Sequence, residues 1–514
     1  MTRAALVGII ALVALGAQAG EPVDRAANAK IRDEGLQRSQ TDALFGTLVD
    51  RIGQRLAGSP AYKQAADYAK DRFTAFGLSN ARLEPFDFGR GWVLDKFTIE
   101  MVEPRYMPLL GYPEAWSPST SGEVTAQIVL AACKTNDEVA TLPLKGAAVL
   151  QANLVTNFID ADRKQPATAP DDAMVPIGAP AGGRGAPCPG AAAAPAAGAA
   201  GAGRAAGAGR GAGGTGGAPN VNQILQTGGA AVLLRPSRGL HGTVFVQAGR
   251  DNPADTLPKV VLAGEHYNML FRMAQQGIAV KVRVNVQARF LDQDRNSYNI
   301  VAELPGTDPA LRDQVVMLGA HLDSWHTGTG ASDNADGAVA VLEAARILKA
   351  TGLPLKRTVR FALWGAEEEG LLGSKAWVAK HLEGEANAAA RANLSLYLNL
   401  DPGKGPIYGW YLENNAAVKP IFDAWLEPFK DLNALKNVMP GIGSTDHLSF
   451  IAAGVPGFNA IQDYVDYDVR EHHTNADLAE RITPADLRQN AIVLASFAYH
   501  AANRADRIPS TVRK

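Results

Sequence analysis

The stretch Val315-Val316-Met317-Leu318-Gly319-Ala320-His321-Leu322-Asp323-Ser324 passes from an apolar run into a polar turn that carries a histidine and an aspartate. Further apolar runs follow over Thr358 to Trp364 and Leu394 to Leu400, separated by helical patterns over Ala338 to Lys349 and Leu371 to His381. Short apolar strands that alternate with helices are typical of a parallel sheet. The C-terminal half of the chain therefore predicts an α/β fold, with a mixed and mostly parallel sheet flanked by helices.

Polar motifs lie at or near the ends of these strands. Each has an ordinary interpretation: a satisfied core histidine, a capped helix start, solvated carboxylates, an Asp-Pro turn or surface histidines. Together they indicate more, because ligands gather at the carboxyl ends of the strands of an open parallel sheet. Two histidines with three carboxylates suit zinc and can hold two ions if one carboxylate bridges. The motifs are His321-Leu322-Asp323-Ser324, Ser332-Asp333-Asn334, Ala366-Glu367-Glu368, Asn399-Leu400-Asp401 and His473-Thr474.

These motifs, in this order, resemble the signatures of the co-catalytic di-zinc exopeptidases, the family of bacterial leucyl aminopeptidases, carboxypeptidase Q and glutamate carboxypeptidase. The resemblance implies the zinc exopeptidase fold and two Zn²⁺ ions. One ion would be held by His321 and Asp401 and the other by Glu368 and His473, with Asp333 bridging both.

The same resemblance implies roles for further residues. Glu367 would be the general base. Asp323 would orient the His321 ring by accepting a hydrogen bond from the ring nitrogen that does not bind metal. The stretch Ser444-Thr445-Asp446-His447 resembles a family segment near the substrate pocket, so Ser444, Asp446 and His447 are candidate pocket residues. For the tyrosine that stabilises the oxyanion in some relatives, Tyr464 and Tyr467 are the candidates.

A β-rich insertion is expected within the catalytic domain. Strand-like runs at Val124 to Leu130, Ala147 to Leu150, Ala230 to Leu234 and Ile278 to Val286 lie between Gly, Pro and Asp residues. The region resembles a protease-associated domain, most clearly at Lys145 to Leu150 and at Gly228 to Leu233. We expect the catalytic domain at 27–105 and 290–510, the insertion at 106–289, and a low-complexity Gly/Ala/Pro loop at 179–220.

The N-terminus predicts export. Arg3, an apolar run from Ala4 to Leu15 and the small-x-small pattern Ala17-Gln18-Ala19 are typical of a cleaved secretory signal at 1–19. The run is too short to span a bilayer, so we expect a periplasmic or extracellular protein with no membrane span in the mature chain. Cys133 and Cys188 could pair there, but two cysteines do not staple so long a chain, and we expect them to be incidental.

Composition limits the partners. The 514-residue chain has 50 Lys and Arg against 52 Asp and Glu, a net charge of -2. Binding of nucleic acid would require a strongly basic stripe, so the composition argues against a nucleic-acid partner.

The resemblance implies an enzyme that hydrolyses terminal peptide bonds of a peptide substrate, and an aminopeptidase is the first expectation. A carboxypeptidase or dipeptidase of the carboxypeptidase Q type, and a zinc amidohydrolase acting on a non-peptide amide, remain alternatives. A binding protein that has lost catalysis is disfavoured because every expected ligand and the base are present. A glutaminyl cyclase is disfavoured because it uses one zinc and lacks the inserted module.

Overall fold

The computed structural model describes residues 20–163, 184–185, 188, 220–246 and 251–511. The expected signal segment at 1–19 and nearly all of the Gly/Ala/Pro segment at 179–220 lie outside these residues.

The first sheet has seven strands, and its four central strands run parallel. The outer pairings are antiparallel, so the expected mixed sheet flanked by helices is confirmed. Parallel strands bring their carboxyl ends to one edge, where the polar motifs follow. In spatial order the strands are Ser79–Asp87, Asn296–Leu304, Thr358–Trp364, Val315–His321, Leu394–Asn399, Gly457–Asp463 and Lys404–Tyr411.

Helices cover both faces of this sheet. The larger layer packs against its apolar side chains in one continuous core, in which Asp336–Thr351 lies against Pro484–Asn503. The opposite face carries Leu372–His381 and His447–Ala452, packed through Trp377 and Phe450. The other helices of the larger layer are Arg25–Gln37, Thr41–Gly46, Pro60–Ala75 and Lys419–Leu426.

Short helical turns connect these elements. They are the π-helical turns Thr47–Ile52, Ala331–Ala335 and Tyr467–Glu471, the 3₁₀ turns Glu385–Asn387, Glu427–Leu432 and Ala479–Arg481, and the helix Ala388–Asn393. Two of the π-helical turns, Ala331–Ala335 and Tyr467–Glu471, carry or immediately precede predicted metal ligands.

A second sheet of eight strands has its own apolar core. In spatial order its strands are Met107–Pro108, Gly91–Glu103, Lys281–Leu291, Val124–Leu130, Ala148–Leu150, Val232–Pro236, Lys259–Leu262 and Gly111–Pro113. Its helices are Asn136–Ala140, Val221–Thr227 and Gly264–Gln275, and a separate ribbon pairs Val155–Asn157 with Arg184–Gly185. We call residues 91–291 the second-sheet region.

The second-sheet region begins earlier than the boundary expected at 106. The strand Gly91–Glu103 pairs along its length with Lys281–Leu291, and thus belongs to the second sheet. The sequence did not show this pairing because its partner strand is remote in the chain.

The expectation that the two cysteines are incidental is wrong. Cys133 and Cys188 form a disulfide, with 5.4 Å between their Cα atoms. The bond joins Cys133 of the second-sheet region to a residue near the start of the low-complexity segment. Composition alone does not reveal which parts of such a segment return to the folded core.

Across the described residues, the helices are all too short or too polar to cross a bilayer.

Candidate metal centre

His321 and Asp323 lie where the strand Val315–His321 ends. The His321 side chain is fully buried, and its Nδ1 lies 3.0 Å from the backbone carbonyl of Asp323. Its other ring nitrogen, Nε2, lies 3.2 Å from Asp333 Oδ1 and 3.7 Å from Asp401 Oδ1. In the neutral ring that a metal requires, a carbonyl that accepts from Nδ1 leaves Nε2 without a proton and facing the two carboxylates.

Asp323 supports the site in a second way. Its carboxylate oxygens accept the backbone N–H groups of Glu367 and Glu368, each at 3.2 Å. These residues follow the neighbouring strand Thr358–Trp364. One buried side chain therefore fixes the turn that carries the predicted base and a predicted metal ligand.

Asp333 lies between the two histidines. Its Oδ1 faces His321, while its Oδ2 lies 3.2 Å from Nε2 of His473. The Asp477 carboxylate anchors the backbone here, accepting from the N–H groups of Ser332 at 2.7 Å and Asp333 at 3.2 Å. Asp333 thus presents its two oxygens to separate partners, as a bridging carboxylate must.

Glu368 and His473 form the other side of the site. Glu368 Oε2 lies 2.8 Å from His473 Nε2 and accepts the indole N–H of Trp325 at 2.9 Å. His473 adopts a left-handed backbone conformation with φ 62°, which is uncommon for a residue other than glycine. The ring of His472 stacks on it at 3.7 Å and offers a further nitrogen near Asp333.

The donor set fits metal ions. Among the described residues, no hydrogen-bond partner is found for the buried atoms His321 Nε2, Asp333 Oδ2 and Glu368 Oε1. Buried polar atoms without partners are costly, and imidazole nitrogen with carboxylate oxygen is a zinc donor set. The ligand atoms of His321, Asp333 and Asp401 all lie within 4.8 Å of one another.

The neighbouring carboxylates determine the protonation of the two candidate histidine ligands when no metal is bound. Burial opposes protonation of the histidines, yet the carboxylates of Asp323, Asp333 and Asp401 raise the pKa of His321 well above its usual value. Against the same effect of burial, Glu368 and Asp333 raise the pKa of His473 to about 10. The metal-free site therefore holds protons on the nitrogens that a metal would need.

Glu367 is buried beside the ligands. Burial, together with repulsion from Asp401, Asp446 and Glu368, raises its pKa well above the usual carboxyl value. Carboxyl groups tuned upward in this way suit acid–base work near neutral pH.

The candidate pocket residues separate into exposed and buried groups. Ser444 is exposed, in a left-handed conformation with φ 63°. Asp446 is buried, and burial raises its pKa to about 7. His447 is buried with its Nε2 3.1 Å from Glu413 Oε1. Of the three side chains, only that of Ser444 reaches the surface.

The two tyrosine candidates differ in how their hydroxyls are used. The Tyr464 hydroxyl lies 3.2 Å from that of Tyr411. The Tyr467 hydroxyl is buried and has no hydrogen-bond partner among the described residues. Burial and the negative charges of Asp333 and Asp401 raise the pKa of Tyr467 well above its usual value.

Three supporting residues were missed by sequence reasoning. Asp477 and Trp325 hold Asp333 and Glu368, as described above. Arg55 is fully buried and donates to the carbonyls of Leu322, Thr329 and Gly330. Burial lowers the pKa of Arg55 to about 10, against the attraction of Asp477, Asp323 and Asp333. Nothing in the spacing of these three residues indicated these contacts.

Residues 299–498, which include every predicted metal ligand, match the family model of peptidase family M28. This part of the chain is similar to that family. The match supports a peptide hydrolase, and the predicted ligands His321 and Asp401 lie at or just after strand ends of the first sheet within the matched region.

Relatives of the chain support the same assignment. Carboxypeptidase Q of Bos taurus is 27% identical over 92% of this chain and 88% of its own length. An aminopeptidase of Pseudomonas aeruginosa is 32% identical over 36% of this chain and 37% of its own length. The crystal structure of a peptidase M28 precursor from Shewanella amazonensis covers 94% of this chain and 98% of its own, with a TM-score of 0.67 and 23% identity. The last of these shows that the fold is shared over nearly the whole chain.

Proposed function

We propose that the protein is a di-zinc exopeptidase that removes residues from the amino terminus of peptides. The main support for this proposal is the position of Asp333. Its two carboxylate oxygens face His321 on one side and His473 on the other. That arrangement supports two ions that share one carboxylate.

The contacts support one ligand set for each ion. His321 and Asp401 would hold one ion, Glu368 and His473 the other, and Asp333 would bridge them. When bound, zinc polarises a carbonyl and makes water more acidic.

The chain's own groups would move the protons. Glu367 would take a proton from the attacking water and return it to the leaving amine. The Tyr467 hydroxyl would donate a hydrogen bond to the oxygen on which charge develops. Asp323 would hold the turn of Glu367, because it accepts the N–H of that residue.

Acidic side chains dominate the site, which favours a substrate that brings a positive amine. Asp446 and Asp477 add two buried carboxyl groups to those of the ligands and the base. The buried Arg55 and Arg163 are engaged, the first with carbonyls and the second with Asp468. A free amino terminus is the charge that this environment attracts.

A carboxypeptidase or dipeptidase is the second candidate. It is favoured by the similarity to carboxypeptidase Q, which extends over 92% of the chain.

We also propose that the mature protein works outside the cytoplasm and that its second-sheet region is a protease-associated domain. The disulfide between Cys133 and Cys188 supports an oxidising compartment, in agreement with the signal pattern at 1–19.

A substrate panel tests the proposal. The zinc-loaded protein would be given a free dipeptide, an N-blocked dipeptide and a C-amidated dipeptide, with a chelated control. Cleavage of the amidated but not the blocked peptide supports an aminopeptidase. The reverse indicates a carboxypeptidase, and cleavage of the free dipeptide alone indicates a dipeptidase. Absence of any chelator-sensitive cleavage contradicts an exopeptidase and favours a non-peptide amide.

A further inference from the structure

The loop that presents His473 is held by the second-sheet region. This loop contains the π-helical turn Tyr467–Glu471, followed directly by His472 and His473. Its contacts with the second-sheet region lie on both sides of the metal ligand.

Arg163 and Asp162 hold the loop before the ligand. The Arg163 side chain is 11% exposed and that of Asp468 is 1% exposed, and Arg163 Nε lies 2.8 Å from Asp468 Oδ2. The backbone N–H of Arg163 donates to the same oxygen at 2.8 Å. Asp162 in turn accepts from the N–H groups of Asp466 at 2.8 Å and Val469 at 3.0 Å.

The Arg163 guanidinium also packs on two aromatic rings of the loop. Its central carbon lies 4.7 Å from the ring centroid of Tyr464 and 5.7 Å from that of Tyr467. Since a guanidinium stacks on aromatic faces while its planar fork pairs a carboxylate, a single side chain fixes both the turn and the candidate oxyanion donor.

A short strand-like segment holds the loop after the ligand. Phe245 and Thr474 form an antiparallel bridge, and the N–H of Val246 donates to the carbonyl of His473 at 3.1 Å. The N–H of Val244 donates to the side chain of Asn475 at 2.6 Å.

We propose that Arg163 of the second-sheet region is a positioning residue for the metal site, which holds His473 through Asp468. This inference rests on the proposed di-zinc function. It makes the second-sheet region part of the zinc-binding machinery, because the left-handed His473 is fixed on both sides by that region. Residues that orient metal ligands from behind typically contribute about 10- to 100-fold to metal affinity.

Zinc titration of variants against a chromophoric chelator tests the proposal. Arg163→Met should weaken one of the two zinc equivalents by about 10- to 100-fold and leave the other near its wild-type affinity. The cobalt-substituted protein should show a changed visible absorption for the weakened site. Arg163→Lys should give a smaller loss, because an ammonium keeps the charge without the paired bonds.

Arg235→Met is the matched control. Arg235 also belongs to the second-sheet region and pairs with a carboxylate, Glu114, at 2.7 Å, but both residues lie inside that region. Its zinc affinities should equal those of the wild type.

The proposal is overturned if Arg163→Met binds both zinc ions with wild-type affinity and an unchanged cobalt spectrum, or if Arg235→Met shows the same loss. Should Arg163→Met fail to fold by circular dichroism, Arg163→Lys decides by the same titration. A wild-type protein that binds two zinc ions without cleaving any peptide would contradict the proposed function, and the titration would still decide the role of Arg163.

Discussion

Glu367 and Glu368 are adjacent carboxylates with different surroundings, for which we propose different roles. Glu368 faces His473 and accepts from Trp325, whereas the pKa of Glu367 is raised well above the usual value by burial and by neighbouring acids. The sequence motif placed both residues at the site. Asp323 accepts the backbone N–H groups of both residues, one on each carboxylate oxygen. These hydrogen bonds depend on the geometry of the turn, which the spacing of residues in the sequence does not encode.

Glu367→Gln should keep both metal ions and lower kcat by about 10²- to 10⁴-fold, the usual contribution of a general base. Zinc content by atomic absorption and steady-state rates on a C-amidated dipeptide measure this. Glu368→Gln is the contrast, since it should lose metal. Near-normal turnover by Glu367→Gln would remove the base from the mechanism.

Substitution by phenylalanine, which removes only the hydroxyl group, can distinguish the roles of the two candidate tyrosines. Tyr467→Phe should lower kcat by about 10²- to 10³-fold, the usual effect of losing an oxyanion donor, with zinc content unchanged. Tyr464→Phe removes a hydroxyl that pairs with Tyr411 and should leave kcat within a few-fold of wild type. Equal effects of the two substitutions would contradict the assignment of Tyr467.

Zinc binding should release protons. The pKa of His473 is raised to about 10 by its carboxylate neighbours and that of His321 is raised as well, so both are protonated at neutral pH before metal binds. A metal needs the neutral rings, and affinity must therefore rise with pH. Calorimetry of the apoprotein in buffers of different ionisation enthalpy measures the release; a buffer-independent enthalpy would contradict it.

At the level of secondary-structure elements, the apolar runs in the sequence predicted strands of the first sheet well. The expected strand Thr358 to Trp364 and the helix Leu371 to His381 match the observed Thr358–Trp364 and Leu372–His381 within one residue. Periodicity suffices there because burial on both faces leaves a strong pattern. It could not reveal Arg55, whose partners are carbonyl groups that any residue would supply.

Arg55→Met should lower the free energy of unfolding by roughly 3 kcal/mol or more, since it leaves several buried carbonyls without a donor. Arg51→Met, at an exposed position four residues earlier, is the control and should change little. Urea unfolding followed by tryptophan fluorescence provides both values. Equal stability of the two variants would show that Arg55 does not fasten the strand-end loops.

At the level of the whole molecule, the sequence predicted an insertion but not the strand pairing and the disulfide that hold it together. The strand Gly91–Glu103 joined the second sheet, and Cys188 joined Cys133, through contacts between distant residues. Such pairings depend on three-dimensional proximity, for which a single sequence carries no local signal.

Replacing both cysteines by serine should destabilise the second-sheet region by up to about 4 kcal/mol, the loop-closure contribution for a separation of this size. The residues lie 55 apart in sequence. Thermal unfolding under non-reducing conditions compares the variant with the wild type, and zinc affinity should be unchanged because neither cysteine contacts the metal ligands. An unaltered midpoint would show that the bond adds no stability.

The proposed di-zinc function requires that Asp333 bridges two metal ions. Anomalous diffraction at the zinc absorption edge, on crystals of the zinc-loaded protein, tests it most directly. We expect two peaks on either side of the Asp333 carboxylate, one beside His321 and Asp401 and the other beside Glu368 and His473. A single peak, or peaks that lie away from Asp333, would contradict it.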